Sequence, residues 1–222
     1  MSLKNYWWKI LAALILIYVS VMGLIGNVPR QPILNETIRN VYFHVPLWFS
    51  MMVLMTISMV QSFKYLMSNR PESDLQANAF AHVAFAFGIL GFVTGAIWGN
   101  FTWGTPLPVD PKLIAVEVGL LIYAAYFILR GSFEDEQKKA RLSAVYNIFA
   151  YAAFMPLVWI LPRITDSLHP GNGGNPAFGK YDMDNDMRMV FYPAVIGWIL
   201  IGYWIGNLRY RISKLEYKKL NK

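Results

Sequence analysis

Cysteine is absent from all 222 residues, so the chain can form no disulfide and offers no thiol nucleophile, no thiolate metal ligand and no thioether attachment point for a prosthetic group. Any thiol chemistry belongs to a partner. Histidine is nearly as scarce, at three residues, and Asp and Glu together number only 13. There is no glycine-rich nucleotide loop, so any ATP hydrolysis that serves this protein occurs elsewhere. Internal repeats are lacking. So is an A-x-A-like cleavage site after the first apolar run, Trp7 to Gly26, which is also too long for a signal-peptide core and is expected to be retained as a helix.

What the chain has is apolar length. Its residues are 56% hydrophobic and fall into repeated stretches of about 20, the length that crosses the hydrocarbon layer. This pattern predicts an all-α polytopic membrane protein, a single domain over residues 1–222 with six transmembrane helices. The spans read as 7–26, 41–67, 79–98, 113–130, 142–161 and 187–207. Pro46, Pro156 and Pro193 fall inside spans, where neighbouring helices or local distortion satisfy the freed carbonyls.

The formal charge of +7 raises nucleic acid as a partner. The basic residues instead sit beside apolar segments, where they anchor loops in the cytoplasm, and nucleic-acid binding is set aside. With both termini inside, the cytoplasmic segments hold 14 of the 20 Lys and Arg residues, many of them in the tail from Arg209 to Lys222. The outer segments hold Arg30, Arg39, Lys112, Arg163, Lys180 and Arg188. This is the positive-inside bias. Three loops then face outward: 27–40, 99–112 and 162–186.

The three histidines sort by depth. His44 lies about one turn into the second span from its outer end, and His169 lies in the loop after the fifth span. Both can reach one site at the outer interface. His82 precedes Trp98 by 16 residues, roughly 24 Å along a helix at about 1.5 Å per residue, and cannot share a ligand with the other two. Two imidazoles without cysteine or an obvious carboxylate ligand suit an iron porphyrin held at both axial positions better than a catalytic zinc. On position alone a plainer account stands ahead: an interfacial helix histidine bonded to a neighbour, and a solvated loop histidine.

The run Trp98-Gly99-Asn100-Phe101-Thr102-Trp103-Gly104-Thr105 joins indole planes to glycines, so that backbone can approach a flat ligand while the indoles cover its face. Tryptophan also anchors helices at membrane interfaces, which accounts for Trp7, Trp8, Trp159 and Trp204.

This run, followed by Asp110-Pro111-Lys112-Leu113, resembles the tryptophan-rich haem-handling signature of the CcmC/CcsA cytochrome c assembly family. The stretch from Arg39 to Pro46 resembles the family segment with the first haem-ligand histidine, and Ser167-Leu168-His169-Pro170-Gly171 the segment with the second. The motifs follow the family's order. Where the family signature continues with further tryptophans, this chain has Pro106-Leu107-Pro108-Val109.

The resemblance implies a CcmC-like haem-handling protein of the bacterial inner membrane, not itself an enzyme. It would hold b-type haem non-covalently at the periplasmic face, with His44 and His169 as axial ligands. Trp98, Trp103, Gly104 and Asp110 would complete the site, and Arg39 or Lys112 would meet propionates or serve as ordinary interfacial charges. Implied partners are a CcmE-like periplasmic haem chaperone, CcmA/CcmB-like ABC transporter components and the lipid membrane. Two alternatives stay open: the membrane subunit of a CcsA-like cytochrome c synthetase, which the Asp-Pro-Lys form favours and six spans oppose, and a b-type cytochrome electron-transfer subunit, for which only His82 could serve a second site. Glu117, inside the fourth span, reads either as a functional intramembrane carboxylate or as a residue reaching the interface or Lys112. Asp182, Asp184 and Asp186 begin like a calcium loop, but Met187 stands at its sixth position and Pro193 at its twelfth, and that match fails.

Overall fold

The computed structural model describes residues 6–30, 33–169 and 183–220. Pro170, Gly171 and Asp182 lie outside them. Among the described residues every regular element is helical, as the absence of water in a bilayer core requires of any backbone that crosses it singly. Six helices are long and apolar enough to span a membrane. They are α1 (Trp7–Ile25), α2 (Val41–Ser68), α3 (Pro71–Trp103), α4 (Pro111–Gly131), α5 (Glu136–Met155) and α7 (Asn185–Leu220). A 3-10 turn, Asn35–Asn40, runs directly into α2, while a π-helical turn, Pro156–Ile160, and the short α6 (Leu161–Ile164) prolong α5.

Helix α2 is the hub, packed against α3, α5 and α7, with α1 lying on α7 and α4 on α5. The core beneath it is built by Met51 and Leu54 of α2, Phe80 and Phe87 of α3, Tyr123 of α4 and Phe154 of α5. Lipid tails are as apolar as these side chains, so association draws on close packing and on polar links. Gly206 supplies the first: a Cβ there would stand 2.7 Å from the Phe80 ring. Asn147 supplies the second, donating from Nδ2 to Ser58 Oγ at 2.8 Å and Ser62 Oγ at 2.9 Å, which ties α5 to α2.

Helix directions place the first and last helix ends, near Trp7 and Leu220, together on one face, and the 104–110 and 165–169 loops on the other. The third span is longer than hydropathy implies. Pro71 at the first helical position, with Glu72 and Asp74 in the first turn, starts α3 two turns earlier than residue 79. It then continues through Trp98 to Trp103, so those tryptophans are helical and the loop shrinks to 104–110. Gly104 stops it by taking the left-handed conformation, φ 73°. His82 accordingly sits three turns inside α3, its Nδ1 2.9 Å from the Asn78 carbonyl and its ring packed on Phe127. The fifth span starts earlier than residue 142 because Asp135 caps α5, accepting from the Lys138 N–H. The last runs past 207, its basic tail being helical to Leu220.

At the face opposite His44 and His169, Arg130 at the end of α4 grips Asp74 of α3 in a bidentate pair, at 2.7 and 2.6 Å, with both side chains largely buried. Removing one partner strands the other charge. Asp74→Ala is expected to cost about 3 kcal/mol, read as a lower unfolding temperature in detergent, whereas Lys139→Ala, which breaks an exposed pair with Glu136, should leave it unchanged. Equal effects of the two would contradict the assignment.

Candidate functional site

Helix α2 brings His44 to the loop-bearing end of the bundle against the last turns of α3. Its Nδ1 lies 3.1 Å from Thr94 Oγ1, its ring meets Trp98 edge-on at 5.9 Å between centroids, and Trp48 closes a second side at 6.2 Å. Room for the imidazole comes from Gly95: a Cβ there would fall 2.7 Å from His44 Cε1. Trp98 is fixed in turn, its Nε1–H donating to Thr37 Oγ1 at 3.1 Å, and Thr37 donates to the Leu34 carbonyl at 2.6 Å. These bonds, with Asn40 Nδ2 donating to the Thr94 carbonyl at 3.2 Å, lash the 3-10 turn to α3. An open cavity of about 370 Å³ borders Thr37, Arg39, Thr94, Trp98 and Phe101.

His169 arrives by another route. The π-helical turn after Pro156 and the short α6 carry the chain off α5, and the loop that follows is captured by Asp110. That carboxylate is almost fully buried. It caps α4, accepting from the Lys112 and Leu113 N–H groups at 2.9 and 3.3 Å, and it accepts from Ser167 Oγ at 3.1 Å and the Leu168 N–H at 2.7 Å. Burial alone would raise its pKa, yet the bonds from Leu168 and Ser167 and the nearby His169 hold it below the usual carboxylate range. His169 Nδ1 sits 3.4 Å from Asp110 Oδ1, too far for a good hydrogen bond, and Trp103 meets the ring edge-on at 4.8 Å. Burial pushes the His169 imidazole down to about 4, with Lys112 adding to the effect and Asp110 opposing it, so the ring is neutral near pH 7.

The structure therefore gives His44 and His169 each an indole from the end of α3, Trp98 and Trp103. A charge on His169 acts on His44, and Lys112 acts on both. Two expected site residues have other employment. Arg39 pairs with Glu36 at 2.6 Å and donates to the Gly26 and Gly23 carbonyls at 2.6 and 3.3 Å, so it closes the end of α1. Asp110 spends its oxygens on backbone and on Ser167, which makes it a positioning residue for the His169 loop. Gly104 contributes its backbone conformation alone, since a Cβ there would meet nothing within 4 Å. Gly99, expected to let backbone approach a flat ligand, instead lets the loop fold back, with the Pro106 carbonyl oxygen 3.2 Å from where its Cβ would be. Glu117 is half-buried in α4, and Asp184 caps α7 by accepting from the Met187 N–H at 2.7 Å.

Sequence reasoning missed Thr94, Gly95 and Trp48, none of which carries a signal beyond a small or aromatic residue in an apolar helix. It also missed Asp110 as a cap, for which the Asp-Pro pair at a helix start was a usable signal. The donor set suits a planar ligand carrying a metal: two imidazoles on separate elements, each beside an indole. Among the described residues no three His, Asp or Glu side chains gather as a metal cluster.

The profile of the family described as Heme exporter protein C matches residues 1–221 of the chain. Two curated relatives carry the same description: one from Bradyrhizobium diazoefficiens is 32% identical over 61% of this chain and 51% of its own length, and one from Paracoccus denitrificans is 30% identical over 82% of this chain and 76% of its own. A cytochrome c biogenesis protein CcsA from Prochlorococcus marinus is 35% identical over 37% of this chain and 26% of its own length.

Replacing Asp110 with Ala is expected to remove a helix cap worth about 1 kcal/mol and to release the 165–169 loop. Limited proteolysis in that loop should accelerate while the helical circular dichroism is unchanged. Unaltered cleavage would show that the carboxylate does not hold the loop.

Proposed function

The chain belongs to the haem exporter protein C family, a multi-pass membrane family, and from that premise we propose that it holds haem for cytochrome c maturation between His44 and His169. The observation that carries the reading is the pairing of each histidine with a tryptophan from one helix end, His44 with Trp98 and His169 with Trp103. Thr94 Oγ1 lies 3.1 Å from His44 Nδ1, which leaves Nε2 of that ring as the ligating atom, the arrangement by which an outer partner orients a metal-bound histidine; at His169 the Asp110 carboxylate stands 3.4 Å from Nδ1. Bound haem would supply the iron, His44 and His169 would hold it, and this chain's part would be to do so without altering its bonds. The absence of cysteine makes the hold non-covalent, hence b-type. Trp98 and Trp103 would flank the ring, and Lys112, whose charge acts on both histidines, would meet a propionate.

The distribution of Lys and Arg supports a bacterial inner-membrane orientation with both termini cytoplasmic and the histidines at the periplasmic face. Haem would pass from there to a CcmE-like chaperone, with CcmA/CcmB-like transporter subunits supplying ATP hydrolysis. The similarity to CcsA favours one other reading, the membrane part of a synthetase that joins haem to apocytochrome thiols. The two readings differ in product: a haem-loaded chaperone, or a thioether-linked cytochrome formed with no chaperone present.

The test is the visible spectrum of the purified protein, oxidised and reduced. A low-spin spectrum is expected from wild type, reduced by about tenfold or more in haem content or converted to high-spin in His44→Ala and His169→Ala, and retained in His82→Ala. Wild type that neither purifies with haem nor takes it up would overturn the proposal.

A further inference from the structure

The hydroxyl of Thr94 is placed where it decides which nitrogen of His44 carries the proton. Thr94 Oγ1 lies 2.8 Å from the Leu90 carbonyl and 3.0 Å from the Gly91 carbonyl, both in the preceding turn of α3. A hydroxyl has one proton to give, and these two acceptors claim it. What Oγ1 then turns to His44 Nδ1, 3.1 Å away, is a lone pair, and the ring nitrogen must be the donor. That arrangement has Nδ1 protonated and Nε2 bare. A free histidine side chain favours the opposite tautomer, so the choice here is made by the neighbour.

The rest of the pocket keeps the ring where this bond can form. Asn40 holds the Thr94 carbonyl at 3.2 Å and so steadies this turn of α3 against the end of the 3-10 turn. Trp48 and Trp98 stand edge-on to the imidazole from two sides, and Gly95 leaves the space it fills. The indoles have only an N–H donor and Gly95 no side chain, so none of these groups can accept a proton from Nδ1; a further acceptor at the ring is the Gly91 carbonyl, which Thr94 Oγ1 also reaches.

We infer that Thr94 is a positioning residue that locks His44 in the Nδ1–H tautomer, so that Nε2 is presented unprotonated for coordination before any haem arrives. For its purpose this rests on the haem-holding reading, but the tautomer is a property of the apoprotein and can be measured there.

The experiment is 15N NMR of the haem-free protein with labelled histidine, assigned by comparison with His82→Ala and His169→Ala, for wild type, Thr94→Val and Thr94→Ser. Valine keeps the shape and removes the hydroxyl; serine keeps the hydroxyl. Wild type and Thr94→Ser should show a protonated Nδ1 and a bare Nε2 at His44, and Thr94→Val should shift population towards the Nε2–H form with helical content unchanged. On haem titration Thr94→Val should bind about 10- to 100-fold more weakly, with Thr94→Ser near wild type. An Nε2–H tautomer in wild type, or one that Thr94→Val leaves unmoved, would overturn the inference. Expected shifts in a protein that binds no haem would instead uphold the role of Thr94 and overturn the haem-holding reading.

Discussion

The loop-bearing end of this protein hangs on a single buried carboxylate. Asp110 accepts two backbone N–H groups from the start of α4 and two more donors from the loop that precedes His169. A carboxylate so buried would be costly unless its lone pairs were satisfied, and here they are satisfied by joining two segments 57 residues apart in the chain. Without it, His169 would sit on an unattached loop, and the indole of Trp103 would have no ring to meet. The two histidines are thus held by different means: His44 by helix packing and a neutral hydroxyl, His169 by a loop pinned to a helix cap.

Helix α3 makes the two holds compatible. It begins at the face far from His44 and His169, where Asp74 meets Arg130, and it ends by presenting Thr94, Gly95 and Trp98 to His44 and Trp103 to His169. At 33 residues it is about 50 Å long, well beyond the roughly 30 Å hydrocarbon layer, so one continuous helix carries both contacts. Side chains for planar ligand binding are placed more closely by such a helix end than by a loop.

Much of this was legible in the sequence. Six apolar runs and the histidine spacing sufficed for the all-helical bundle and for separating His82 from the other two, because both depend on length and composition. The extent of α3 was hidden: Gly99, Asn100 and Thr102 lower the hydropathy while the aromatic residues between them continue the helix. Arg39 reads as a free cation until α1 supplies the Gly23 and Gly26 carbonyls that occupy it, a contact no local pattern encodes. Thr94 and Gly95 lie 50 residues or more from His44 and look like ordinary helix residues. Asp110 was legible as a helix cap, from an Asp-Pro pair at a span start, and the tryptophan signature drew attention to ligand binding instead.

The central claim is that His44 and His169 together provide both axial ligands to one haem. Near-infrared magnetic circular dichroism of the ferric, haem-loaded protein tests this most directly, because the charge-transfer band of low-spin haem identifies its axial pair. The account predicts the band of two neutral imidazoles, lost when either histidine is replaced. A band from any other ligand pair, or one that survives His169→Ala, would contradict it.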